Sequence, residues 1–215
     1  MQSSSLALFD KVSPVHVLGP GRRAVIWLQG CSLFCRGCLV PESWPVDGGE
    51  VVAVGELTDW VLAQNDIEGI TLSGGEPMLQ ALALVDLIDG IRARKDLGVV
   101  CYTGLVWEDL QATATDGPQQ ALLRRIDLLI DGPYVESRHA DLLWRASTNQ
   151  RLLPLTPRYR YLWDDLLPKG DCSAGIQPYL GDADHFQVMG VPPLPGFRRM
   201  FEVGMAEWGV TIKKS

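Results

Sequence analysis

Positive charge is scarce in this sequence. Lys and Arg number 19 against 26 Asp and Glu, a formal net charge of −7 over 215 residues. That balance argues against the basic surface that broad nucleic-acid binding requires. Long apolar runs are missing as well, and no stretch of about 18 apolar residues is available to span a bilayer. The start, Met1-Gln2-Ser3-Ser4-Ser5-Leu6, has neither the basic residues nor the apolar centre of a signal peptide. The expectation is a cytoplasmic protein with neither membrane nor nucleic acid among its partners. Histidine is limited to His16, His139 and His185, dispersed enough to read as structural or solvent-exposed. Five cysteines in a chain of this size and compartment do not suggest a disulfide framework. There is no repeat at a fixed period and no low-complexity tract. What is plentiful is apolar content, 47% of the chain, enough for the full core of one good-sized domain.

Three of the five cysteines fall within eight residues, in Gly30-Cys31-Ser32-Leu33-Phe34-Cys35-Arg36-Gly37-Cys38. The stretch follows Ala24-Val25-Ile26-Trp27-Leu28-Gln29, which reads as a buried strand. A structural zinc site is normally closed by four protein ligands, and a Cys-ligated iron–sulfur cluster usually takes four thiolates. Three thiolates at this spacing can hold three irons of a cubane and leave the fourth open to chemistry. The rival is a zinc clip completed by His16 or Cys172. Cys101, in the strand-like Gly98-Val99-Val100-Cys101-Tyr102, reads as a small buried hydrophobe. Cys172 lies in a polar segment with no Cys or His beside it.

Along the chain, Ala7-Leu8-Phe9 and Val15-His16-Val17-Leu18 suggest two short strands separated by Pro14. Glu56 to Asn65 reads as a helix, Gly69 to Ser73 as a strand, and Met78 to Lys95 as the best helix of the chain, with Val85, Ile88 and Ile91 at helical spacing. Between that strand and helix lies Gly74-Gly75-Glu76-Pro77, where Pro77 suits a first helical turn. Gly98 to Thr103 is a third core strand, Trp107 to Ala112 and Gln119 to Arg125 are short helices, and Asp127 to Asp131 is a fourth strand. Strands alternating with helices predict a parallel sheet wrapped by helices, with function gathered at the C-terminal strand ends. The cysteine loop, Gly74-Gly75-Glu76-Pro77, Thr103-Gly104 and Asp131-Gly132 all fall at such ends. Beyond about residue 140 the pattern weakens. Residues 154–183 read as an irregular excursion whose aromatic residues form secondary core. A strand at 186–189, a helix at 195–208 and a closing strand at 210–213 complete the same domain, whose core with an N-terminal extension is 1–153. The pairs Arg22-Arg23, Arg124-Arg125 and Arg198-Arg199 read as solvated faces.

At this point the residues carry a resemblance. Cys31, Cys35 and Cys38 match the three-cysteine signature of the radical S-adenosylmethionine superfamily. Gly74-Gly75-Glu76-Pro77 resembles the motif that superfamily places after its second barrel strand. The chain is most similar to the activating enzymes of glycyl-radical enzymes, the anaerobic ribonucleotide reductase activases in particular. That likeness lies in the cysteine loop with Pro41-Glu42-Ser43-Trp44, in Asp127-Leu128-Leu129-Ile130-Asp131-Gly132, and in Trp144-Arg145-Ala146-Ser147-Thr148-Asn149-Gln150-Arg151. It covers roughly residues 20–153 and leaves the tail out.

The resemblance implies an α/β fold, an incomplete parallel β/α barrel of the radical S-adenosylmethionine type. It implies a 4Fe–4S cluster on Cys31, Cys35 and Cys38 whose open iron takes the amino and carboxylate groups of S-adenosylmethionine. Reductive cleavage then yields a 5′-deoxyadenosyl radical that abstracts hydrogen from a polypeptide. Gly74 and Gly75 would let the backbone approach the methionyl group, and Glu76 would accept from its ammonium or fix the turn before Pro77. Thr103 and Asp131 would meet the cofactor at the sheet floor, with a monovalent or divalent cation at Asp131. Ser147 and Asn149 would reach the methionine carboxylate or ribose. Many members carry an aromatic residue just before the last cysteine, near adenine; here Gly37 stands there, so adenine contacts must come from elsewhere.

The expected role is glycyl-radical activation of an anaerobic ribonucleotide reductase-like partner, fed by an electron donor such as flavodoxin or ferredoxin. The extra tail suits an alternative, a maturase of a ribosomally made peptide that works with a separate peptide-recognition protein. A third reading from another class is a non-catalytic metal- or cluster-binding interaction module.

Overall fold

A computed structural model describes residues 4–180 and 186–208 of the chain. Seven strands form one mixed sheet: β1 (Ser5–Val15), β2 (Arg23–Leu28), β3 (Glu50–Ala53), β4 (Gly69–Gly74), β5 (Gly98–Tyr102), β6 (Leu128–Asp131) and, after a small hairpin of β7 (His139–Leu142) and β8 (Arg145–Ser147), β9 (Arg151–Pro154). Their spatial order is β3-β1-β2-β4-β5-β6-β9. The four central strands β2, β4, β5 and β6 run parallel, as the alternation predicts. The flanks do not. β1 pairs antiparallel with both β2 and β3, and β9 pairs antiparallel with β6. These partners are linked by connections without a crossover helix, and only such connections allow the chain to fold straight back on itself.

Alternation along the central strands divides the core in two. Ala24, Ile26, Leu28, Ile70, Leu72, Val99, Cys101 and Leu129 face one side, against α1 (Val54–Leu62), α2 (Ala81–Arg92), and the short helices α3 (Trp107–Gln111) and α4 (Pro118–Leu123). Val25, Trp27, Val100, Tyr102, Leu128 and Ile130 face the other. Cys101 is fully buried on the helical side, as a small hydrophobe should be. The second face is covered by the tail. Leu143, Trp144, Tyr159 and Leu162 pack on β5 and β6. The ribbon of β10 (Ile176–Leu180) and β11 (Phe186–Gly190) sets Met189 against the β1–β2 pair. The last helix, α5 (Phe197–Glu207), has no buried residue and is tied to the body by an ion pair from Arg198 to Glu42.

Several sequence expectations are corrected here. Ala7–Phe9 and the segment before His16 belong to one strand that runs through Pro14. Three residues of β1 there, 13–15, oppose two of β2, and a bulge tolerates a proline that a regular ladder would not. The long helix expected from Met78 breaks at Gln80 into a 3-10 turn, Pro77–Gln80, followed by α2. Gln80 is pulled aside because its amide pairs with a strand: Oε1 accepts from Ala7 N at 2.8 Å and Nε2 donates to Ala7 O and Gln29 O.

Arg23 is not solvated. It is fully buried and donates to Thr71 Oγ1, Pro20 O, Tyr159 Oη, Ile70 O and Gly98 O. Arg125 and Arg198 hold ion pairs, with Asp89 and with Glu42 and Glu202. β9 was not expected as a strand at all. His185 and the closing strand expected at 210–213 lie outside the described residues. Among the described residues no helix is long and apolar enough to cross a membrane.

Candidate functional site

The site forms where the central strands end. β2 runs into Gly30, whose N–H donates to Ser43 O at 2.8 Å, and Cys31 N donates to Trp44 O at 3.0 Å. The turn Pro41–Ser43 therefore returns to hold the base of the cysteine loop. Gln29 adds a second tether, its side-chain amide donating to Glu42 O and Pro45 O. Next door, β4 ends in Gly74-Gly75-Glu76. Gly75 N donates to Leu28 O at 2.7 Å, and Glu76 N donates to Gly30 O at 2.8 Å. A Cβ on Gly75 would overlap the Gly30 carbonyl. The two motifs are thus one backbone-bonded unit. The bare edge of Gly75 is spent on the chain's own cysteine loop rather than on an approaching cofactor.

Glu76 is buried, and its carboxylate faces protein on every side. Oε1 accepts from Met78 N at 3.0 Å and from Thr103 Oγ1 at 2.8 Å, while Oε2 accepts from Gly104 N at 2.9 Å. Burial pushes its carboxyl above the usual range, and the three hydrogen bonds oppose that shift. Of the two roles open to Glu76, the geometry gives it the turn. Thr103 is also occupied, donating to Glu76 and accepting from Leu105 N at 3.1 Å. Leu33, from the cysteine loop, lies over Gly104. The loop therefore touches the ends of β4 and β5 together.

Asp131 is fully buried at the end of β6. Trp107 N donates to it at 2.8 Å, and the Arg151 guanidinium binds both of its oxygens, with Nε at 3.0 Å from Oδ1. Arg151 continues to Glu108, whose carboxyl it holds down at about 2. The positive charge beside the Asp131 carboxylate in this structure is a guanidinium, supplied by β9. Ser147 is buried and accepts from Val135 N at 3.2 Å, so it braces a turn. Asn149 donates from Nδ2 to Pro133 O at 2.7 Å, and its Oδ1 is a buried acceptor with no hydrogen-bond partner. Among the expected cofactor contacts, Asn149 is the one with an acceptor to spare.

All three loop cysteines are free thiols, Cys31 buried and Cys35 and Cys38 half-buried. Burial pushes the Cys35 and Cys38 thiols up; Cys31 adds to the rise at Cys35, and Cys35 and Cys31 add to it at Cys38. Opposing the burial are N–H donors aimed at the sulfurs: the Tyr134 amide at Cys35, the Val40 amide and the Trp44 indole at Cys38. Such donors stabilise thiolates, the form that binds iron. Among the described residues no three His, Cys, Asp or Glu side chains meet closely enough for a single metal ion. His16 and Cys172 do not complete the set. Both side chains are exposed.

A family model described as a 4Fe-4S single cluster domain matches residues 17–153. The chain belongs to that family. Among its relatives is the anaerobic ribonucleoside-triphosphate reductase-activating protein of Enterobacteria phage T4, 31% identical over 152 residues, an alignment spanning 67% of this chain and 92% of the relative. The proteins so named from Vibrio cholerae and Escherichia coli K12 are 32% and 31% identical, over 66% of this chain and 94% and 95% of their own lengths. The match to the 4Fe-4S single cluster domain ends inside β9. The turns that bury Tyr159, the β10–β11 ribbon and α5 all lie beyond it.

Three participants escaped the reading of the sequence: Arg151, Tyr134 and the Glu42–Arg198 pair. Tyr134 follows Asp131-Gly132-Pro133 directly, so its place after a strand end was available as a signal. Arg151 and Arg198 carried none, because what matters in each is a partner 20 and 156 residues away.

Proposed function

We propose that this chain is a radical S-adenosylmethionine enzyme that activates a glycyl-radical enzyme of the anaerobic ribonucleotide reductase type. The observation that carries the reading is the bonding of the three-cysteine loop to the Gly74–Gly75–Glu76 turn, inside a domain of the 4Fe-4S single cluster family. Cys31, Cys35 and Cys38 would hold the cluster. When bound, it supplies the electron that splits S-adenosylmethionine, and so a carbon-centred hydrogen abstractor. The chain's own residues bind and orient. Gly75 and Glu76 lock the loop to β4, Thr103 and Gly104 fix the Glu76 carboxylate, and Asn149 Oδ1 offers an acceptor to an amino or hydroxyl group of the cofactor. The parallel strands β2, β4, β5 and β6 are then part of an incomplete barrel whose C-terminal rim carries all of these groups. The names of the relatives support a polypeptide partner, with a low-potential donor such as flavodoxin or ferredoxin supplying electrons.

The tail beyond the family match favours a second reading, a maturase of a ribosomally made peptide that relies on a separate recognition protein. Anaerobic reconstitution with iron and sulfide followed by a 5′-deoxyadenosine assay tests the chemistry common to both. Wild type should form 5′-deoxyadenosine under strong reductant, and Cys35→Ala should form none. Absence of product in the wild type refutes the proposal and leaves a non-catalytic cluster module; its persistence in the variant refutes the three-cysteine cluster on which the proposal stands. Electron paramagnetic resonance of the reductase after incubation with the loaded protein separates the two substrates. A glycyl radical supports the activase, and none with intact 5′-deoxyadenosine formation supports the maturase.

A further inference from the structure

The turn after β6 grips the cysteine loop. Gly132 leaves the strand at φ 95°, Pro133 follows, and Tyr134 arrives beside Cys35-Arg36-Gly37. The ring of Tyr134 engages the loop. It covers Gly37, where a Cβ would stand 2.9 Å from Cε1. Gly37 has φ 81°, so that position demands glycine both for the turn and for the ring's approach. Two positions further on, Glu136 pairs with Arg36 of the loop at 3.1 Å.

The same turn is fastened from behind. Tyr134 Oη lies 3.1 Å from His139 Nδ1, and the two rings meet edge to face at 5.9 Å. Asn149 Nδ2 holds the Pro133 carbonyl, and Ser147 Oγ holds the Val135 amide. A short segment is therefore braced on the β7–β9 side and presses on the loop with its other side.

We propose that Tyr134 is the positioning residue of the cluster loop, clamping the Cys35–Cys38 turn through its ring on Gly37. This rests on the reading of Cys31, Cys35 and Cys38 as cluster ligands. Groups that orient ligands tune both metal retention and electronic properties. Hydrogen bonds to sulfur and solvent access set the potential of an iron–sulfur centre. Removing the ring frees Gly37, the residue with most backbone freedom to regain, and opens a water path to Cys35. Water favours the more negatively charged reduced state, so the potential moves to less negative values.

The test compares wild type, Tyr134→Phe, Tyr134→Leu and Tyr134→Ala of the full chain, reconstituted anaerobically with ferrous iron and sulfide. The readouts are iron per chain, the rate of iron transfer to a chelator, and the midpoint potential from an EPR-monitored titration. Thermal melts of the apo proteins report the fold. Tyr134→Phe keeps the ring and should stay within about twofold of wild type in iron loss. Tyr134→Ala should lose iron at least about tenfold faster and shift to a less negative potential, with its apo melt near that of wild type. If Tyr134→Ala does not fold, Tyr134→Leu, which keeps apolar bulk without the flat ring, should lose iron faster than Tyr134→Phe. Wild-type retention and potential in both the Ala and Leu variants would overturn the proposal. So would a Phe variant as labile as Ala, which would shift the role to the His139 contact. Failure of wild type to take up any cluster would sink the reading of the cysteines themselves, a result distinct from either.

Discussion

Tyr159→Phe removes one oxygen from a buried cation. Arg23 lies at the start of β2, fully enclosed, and donates five hydrogen bonds, one of them to Tyr159 Oη at 3.1 Å. All five acceptors are neutral. Burial pulls the Arg23 guanidinium below its ordinary value, and its contact with Tyr159 offsets part of that cost. An arginine cannot escape by losing its proton, so the missing acceptor is felt in full. Hydrogen bonds to charged groups are worth about 1.5–3 kcal/mol each, and a buried donor left alone costs a comparable amount. Loss of about 2 kcal/mol corresponds to roughly 4–8 °C in a domain of this size. The measurement is a thermal melt and a urea titration of Tyr159→Phe beside wild type, with Thr71→Val and the double variant closing a cycle through Arg23. Coupling between the two sites is expected because they share one guanidinium. A Tyr159→Phe melt within 1 °C of wild type, about the scatter of such a measurement, would refute the reasoning and mean that water reaches Arg23. The cluster properties should be unchanged, because Arg23 sits at the opposite end of the strands from the cysteine loop.

Two further outcomes follow from the site. Gly75→Ala drives a methyl into the Gly30 carbonyl and should separate the two motifs; an overpacking cost of about 1–3 kcal/mol and loss of iron uptake are expected, and normal uptake would show that the loop does not depend on the β4 turn. Glu76→Gln removes a carboxyl whose folded-state value lies above its unfolded one. The contribution of such a group is fully present below the unfolded value, about 4.3 for glutamate, and is lost as pH rises through the higher folded value. The stability of apo wild type minus that of the variant should therefore fall as pH rises from about 4 through that window. A difference that is flat or that grows with pH, in urea titrations across that range, would contradict the assigned environment.

The legible parts of this protein were local. Cysteine spacing in 31–38, the Gly-Gly-Glu-Pro turn and the alternation of apolar strands with helical periods are properties of contiguous residues, and they appear in the structure at the strand ends where they were expected. The parallel order of β2, β4, β5 and β6 follows from crossovers long enough to hold a helix. Asn149 Oδ1 is buried with no hydrogen-bond partner, which the sequence does not reveal. Illegible were the roles set by distant partners. Glu76, Thr103 and Ser147 hydrogen-bond one another or backbone brought close by the fold.

By itself, then, the sequence determined the chemistry that three thiolates make possible, the strand that delivers them, and the glycines that let two turns approach. Those depend on covalent spacing and on side-chain period, which no fold can alter. The tertiary structure alone decided which charges cancel and which surfaces close. Arg23, apparently one of a solvated pair, became a buried hub once β4, β5 and Tyr159 brought acceptors to it. Asp131 found a guanidinium from β9, and Gly37 found the ring of Tyr134. Each of these depends on two segments far apart in the chain meeting within a few ångströms, and such a meeting is a product of packing, which periodicity does not encode.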